Sequence, residues 1–213
     1  MHEPSHKFHK LLHPEMFRYF EPNRYYHNFE HILYMLMKYA EMQKHLNFGA
    51  SLYFYEESTL LEAILWHDVI YTPGSKTNEL ESAQLYEKSI RANPLRFRED
   101  TTIVYDLIMS TSKHFTSYTS SERWAKLTYI MMDLDLISFA ADWNVFYRNN
   151  LNIMLEADST LEQTSQFLQK LRDNADEWLP FRSFTPEASE ALRRKSVANL
   201  DRWLHQVEDE LET

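Results

Sequence analysis

NRYYHNFEHILYMLMKYA, Asn23 to Ala40, is the stretch from which the fold can be read. Its apolar side chains recur at Ile32, Met35, Leu36, Tyr39 and Ala40. That three-to-four spacing gives an α-helix a single apolar stripe. Pro22 punctuates the chain just before it, and asparagine is a residue type that caps helix N-termini. The pattern therefore predicts one long helix from Asn23 to about Leu46. On it, His27 and His31 fall one turn apart on a common face. Such a pair can be two satisfied polar groups beside a core, a zinc-protease pair, or parts of another metal site.

Working outward, the same periodicity recurs. Residues 1–22 form a short leader with one amphipathic piece, Phe8 to Phe20, interrupted at Pro14. A second helix is expected from about Ser58 to Asp68, with Leu61, Ile64 and Leu65 as its inner stripe. Pro73-Gly74, inside YTPGSKTN, is the strongest turn signal. Helical patterns follow at about 79–92, 99–112, 122–136, 142–157 and 160–178. LPFRSFTPE, Leu179 to Glu187, breaks the pattern, and a final helix runs from Pro186 to about Leu211.

Composition agrees. The 213 residues suit one domain, with 44% hydrophobic and 15% aromatic residues to build a core. Only two glycines occur, Gly49 and Gly74, too few for the turns and phosphate loops of small β or doubly wound α/β proteins. The expected class is all-α.

A formal net charge of -10, with no Lys/Arg run, argues against binding a nucleic-acid polymer. There are no cysteines, which removes disulfides, thiolate zinc sites, iron–sulfur clusters and thiol nucleophiles. A metal would have to be held by His, Asp, Glu or water. The N-terminus lacks a signal-peptide core, and no apolar run is long enough to span a membrane. The expectation is a cytoplasmic protein with no membrane partner.

Several further groups could carry chemistry. LWHDVIY places His67 and Asp68 directly after the apolar Ile64-Leu65-Trp66, where burial of polar groups is costly unless something satisfies them. MMDLDLISF places Asp133 and Asp135 two residues apart. On a helix these diverge by about 200°, so at most one is a direct ligand of a shared ion. Thr111 and His114 stand three apart in TSKH. Asn78, Glu79 and Glu81 open a helix in TNELESA, as a cap or as part of a site. Nitrogen and oxygen ligands without sulfur suit Mg, Mn, Fe, Co, Ni or Zn.

The order H…HD…D resembles the HD-domain superfamily of metal-dependent phosphohydrolases, and within it the small bacterial group of predicted HD phosphohydrolases. The matching pieces are EPNRYYHNFEHI, AILWHDVIYTP, NELESA, TSKH and DLDL, over roughly residues 21–140. A weaker likeness lies in EALRRKSVANL. The YHNxxH element is also similar to that of the cyclic-nucleotide phosphodiesterases. The resemblance implies an HD-type helical bundle over about 21–140, with a helical extension over about 141–213, in one domain.

It also implies roles. His31, His67, Asp68 and Asp135 would bind a divalent metal, with Asp133 the fallback for the closing position. His27 would be the general acid, and His114 would hold a second metal or contact substrate. The implied reaction is hydrolysis of a phosphoester or phosphoanhydride of a small molecule, a nucleotide above all, by metal-activated water. Arg24 could hold a phosphate oxygen and Glu79 could orient the water. The chain departs from the group in YRNNLNIMLEAD, where an Arg-x-Glu-Tyr-like segment is usual and Arg148 could stand in.

Two rivals accompany this reading. HNFEH fits the H-x-x-E-H pattern of inverted zinc proteases with Glu30 as base. The other is an HD fold kept as a catalytically inactive nucleotide sensor or interaction module.

Overall fold

A computed structural model describes residues 13–47, 52, 54–92, 101–112 and 124–211. Among these residues the protein is all-α. A 3-10 helix at Pro14–Phe20 is followed by α1 (Phe29–Met42), α2 (Phe54–Trp66), α3 (Asn78–Arg91), α4 (Thr101–Thr111) and α5 (Ala125–Leu136). Then come α6 (Trp143–Glu156), α7 (Leu161–Asp173), the short α8 (Ala175–Trp178) and the long α9 (Pro186–Leu211). The one described β contact is an isolated bridge between Leu46 and Phe184. No described helix is long and apolar enough to cross a membrane.

The first helix begins later than its sequence pattern predicts. Asn23 has φ 75°, a left-handed conformation that asparagine tolerates but that no helix can continue. The cap is Asn28, whose side-chain oxygen accepts from Glu30 N at 2.8 Å, a bond worth about 1 kcal/mol. His27 therefore precedes α1 and does not lie on it. The predicted one-helix placement of His27, Arg24 and His31 is corrected accordingly.

The second helix is also displaced, starting at Phe54 and ending at Trp66, so that His67 and Asp68 sit in the turn beyond it. The final helix matches its predicted start and end. The pattern over 160–178 divides at Asn174 into α7 and α8. Thr160 starts α7 with a reciprocal capping box to Gln163.

The buried side chains form two clusters. The first gathers Met16, Tyr19, Ile32, Met35, Leu60, Ile64, Val69, Tyr86, Leu107, Ile130 and Leu134, from the 3-10 helix through α5. The second gathers Leu136, Phe146, Leu168, Phe181, Leu200 and Trp203, from the end of α5 through α9. The chain passes between them within α5, and Asp135 stands at that passage.

Candidate metal centre

Three elements bring polar groups to one point. His31 comes from the first turn of α1, His67 and Asp68 from the turn closing α2, and Asp135 from the last turn of α5. His31, His67 and Asp135 each offer one ligating atom, and these atoms lie within 4.8 Å of one another. His31 Nε2 is 3.0 Å from Asp135 Oδ1, and His67 Nε2 is 3.5 Å from the same oxygen. Asp68 Oδ2 closes the group, 3.0 Å from His67 Nε2 and 3.8 Å from His31 Nε2. His31, His67 and Asp135 could together hold a metal ion.

The donor chemistry fits a divalent cation. His67 Nδ1 lies 2.9 Å from the carbonyl of Ile64, which can only accept, so Nδ1 carries a proton and Nε2 faces the cluster. That Nε2 is buried and has no well-aligned hydrogen-bond partner, although Asp68 approaches it. The surroundings call for positive charge there. Burial works against an imidazolium at His67, but Asp68 and Asp135 outweigh it and hold its pKa well above the ordinary histidine value. Burial likewise disfavours the Asp68 anion, yet His67 beside it keeps that carboxyl below its usual range. A divalent ion would meet the same demand.

Asp133 and Asp135 take opposite sides of α5. Asp133 Oδ2 accepts from both the backbone N and the Oγ of Ser183, each at 2.7 Å. It ties α5 to the LPFRSF segment, and Asp135 is the aspartate that faces the histidines.

His27 approaches the cluster from the turn before α1, its ring centroid 6.4 Å from that of His31. Its Nδ1 lies 2.6 Å from Glu156 Oε2, and the same oxygen accepts from His27 N at 3.2 Å. The ring stacks on Tyr71, with centroids 3.8 Å apart and planes at 17°. Burial, with Glu156 and Asp68 close by, pushes the Tyr71 phenol pKa up, so this partner stays neutral. Neither Glu156 nor Tyr71 was marked by its sequence setting. The only hint of Glu156 was its place in YRNNLNIMLEAD, two turns along α6 from Asn149.

Arg24, expected to hold a phosphate oxygen, is engaged by the protein itself. Its side chain is 5% exposed and pairs with Glu21 at 3.4 Å. Nη1 donates to the carbonyls of His27 at 3.2 Å and Asp68 at 2.7 Å, and Nη2 to that of Val69 at 3.0 Å. Arg24 thus joins the segment bearing His27 to the HD turn through both of its Nη atoms.

Asn78 and Ser82 of the NELESA element act in a similar way. Asn78 exchanges two bonds with the backbone of Thr72, at 2.9 and 3.0 Å. Ser82 Oγ accepts from Ile70 N at 3.0 Å and donates to Ile70 O at 3.2 Å. Between them the Pro73-Gly74 turn reverses the chain, with Gly74 at φ 75°. Glu79 lies in the first turn of α3, outside the ligand cluster. Glu30 is exposed, and the ligating group contains His31 without His27, so the H-x-x-E-H arrangement is not assembled. His114 lies outside the described residues.

Comparisons with known protein families, with curated proteins and with solved structures gave no match.

Proposed function

We propose that the protein is a metal-dependent phosphohydrolase of the HD type, acting on a small phosphorylated molecule. The observation that carries this reading is the pairing of two units. A His31, His67, Asp68 and Asp135 cluster suited to a divalent cation stands beside a His27 imidazole gripped by a buried carboxylate.

When bound, such an ion supplies Lewis acidity, making water more acidic and drawing charge from phosphoryl oxygens. The chain's own residues do the rest. Glu156 holds the Nδ1 proton of His27, which leaves Nε2 as the nitrogen that delivers a proton to the departing ester oxygen. Tyr71 fixes the plane of the ring through stacking. Arg24 and the Asn78/Ser82 pair hold the turns that carry Asp68 and Tyr71, and so preserve the spacing between ligands and acid.

The test is metal content combined with a broad phosphatase screen on purified protein and on His31→Ala, Asp68→Ala and His27→Ala. The reading expects hydrolysis by the native protein. The first two variants should lose metal, and His27→Ala should keep metal and lose turnover. Metal-loaded protein that binds nucleotides but hydrolyses no phosphate substrate would identify a sensor instead.

A further inference from the structure

A cavity of about 230 Å³ opens beside the metal cluster, between α1 and α6. His31 and Tyr26 form its inner end. From there it runs outward between Tyr25, Leu33 and Met37 on one side and Arg148, Asn149 and Asn152 on the other. The volume is smaller than the ~300 Å³ at which pockets for whole drug-sized ligands begin, and so suits one ring system of a larger ligand.

The polar groups that α6 contributes to this cavity are uncommitted in a way those of the facing segment are not. Asn28 gives its amide to the carbonyls of Arg24 and Tyr25 and its oxygen to Glu30 N. Asn150, one residue from Asn149, is buried and bonded to Phe146 O at 2.8 Å. The side chains of Asn149 and Asn152 have no hydrogen bond to any described residue, and Arg148 has no ion pair with one. Three residues apart on one helix, the two amides share a face. Each presents a donor and an acceptor, the combination that reads the edge of a nucleobase.

The walls are flat and apolar. Tyr25 is 45% exposed and makes no ring contact with a described residue, so its face is open for stacking. Leu33 and Met37 are large apolar side chains also left exposed along the same wall. The register along α6 ties this cavity to the chemistry. Asn149, Asn152 and Glu156 recur at one face, and at ~1.5 Å rise per residue Asn152 lies about 6 Å along the axis from the carboxylate that grips His27.

We infer that this cavity is a nucleobase subsite. A mononucleotide would place its phosphate at the His31 end and its base between Tyr25 and the amides of Asn149 and Asn152. The inference rests on the phosphohydrolase reading for the position of the phosphate, but its test does not require turnover.

Calorimetry would compare binding of nucleoside monophosphates with binding of ribose phosphate, which lacks the base, to the full chain with divalent metal present. The expected result is a nucleotide preference of about tenfold or more in the native protein. In Asn149→Ala and Asn152→Ala the ratio of nucleotide to ribose phosphate affinity should fall about tenfold. The ratio is its own control for folding, because a damaged protein loses both ligands together. Equal affinity for the two ligands in the native protein, no binding of either, or a ratio untouched by both substitutions would overturn the subsite. Nucleotide binding with the expected ratio but no hydrolysis would leave the subsite standing and remove the phosphohydrolase.

Discussion

His27 Nδ1 lies 2.6 Å from Oε2 of Glu156, a carboxylate whose side chain has no exposed surface. A carboxylate removed from water is stabilised only by what it touches, and here it touches the imidazole and the N–H of one residue. The pair engages Nδ1 of His27 and leaves Nε2 as the other ring nitrogen. If His27 is the acid, its loss should depend on how much help the leaving group needs. His27→Ala should reduce kcat on an alkyl phosphoester by about 10²–10⁴, the usual contribution of general acid catalysis. It should cost far less on p-nitrophenyl phosphate, whose leaving group departs without a proton. Glu156→Gln should follow the same leaving-group pattern with a smaller loss. Equal losses on both esters would show that His27 serves binding or structure.

Asp133 and Asp135 invite a crossed experiment. Asp133 is spent on two bonds to Ser183, so Asp133→Ala should destabilise the fold by about 3 kcal/mol in urea titrations while metal content holds. Asp135→Ala should release metal, since it removes the oxygen that lies within 3.5 Å of Nε2 of both His31 and His67. Metal loss in Asp133→Ala with normal stability would reverse the two roles.

The helical class and most of the helices could be read from periodicity, because a 3–4 stripe has few other solutions and the chain has too few glycines for the alternatives. Where reading failed, a local rule lost to a neighbour. Asn23 has the residue type of a cap, but Pro22 and the left-handed turn left that role to Asn28 five residues on. Of the candidate site, His67 and Asp68 stood out as polar groups after an apolar run, whereas His31 and Asp135 were singled out by the resemblance of the H…HD…D order. The backbone bonds of Arg24 were not legible, since a cation near a phosphate site and a cation bolting two backbone turns are the same letter. Glu156 was invisible because its partner is 129 residues away, and no spacing rule reaches so far.

The bolt at Arg24 carries its own expectation. Arg24→Ala leaves the carbonyls of His27, Asp68 and Val69 without their donor, and should cost about 3 kcal/mol in chemical unfolding. Arg24→Lys should lose most of that as well. A single ammonium lacks the planar fork that reaches carbonyls on two separate turns at once. Metal affinity should weaken in both, through the loosened turn that bears Asp68. If Arg24 instead contacts substrate, both variants would keep native stability and show a raised KM alone.

Metal should act on stability as well as on chemistry. His67 and Asp68 are buried, and Asp135 adds a second carboxylate to the same point, so a cation joins the folded state far more strongly than the unfolded chain. At a free metal concentration about a hundredfold above Kd, linkage adds about 2.7 kcal/mol. Thermal melts of chelator-treated protein should therefore rise on adding divalent ions. With two imidazoles and two carboxylates as donors, the rise at equal concentration should follow the general affinity order, with Mn²⁺ below Co²⁺ and Ni²⁺, and Mg²⁺ weaker still. His67→Ala should abolish the rise, because the orphaned Nε2 is the nitrogen most in need of a partner. A rise of equal size in native protein and in His67→Ala would place the ion elsewhere, and no rise with any of these ions would remove the metal centre altogether.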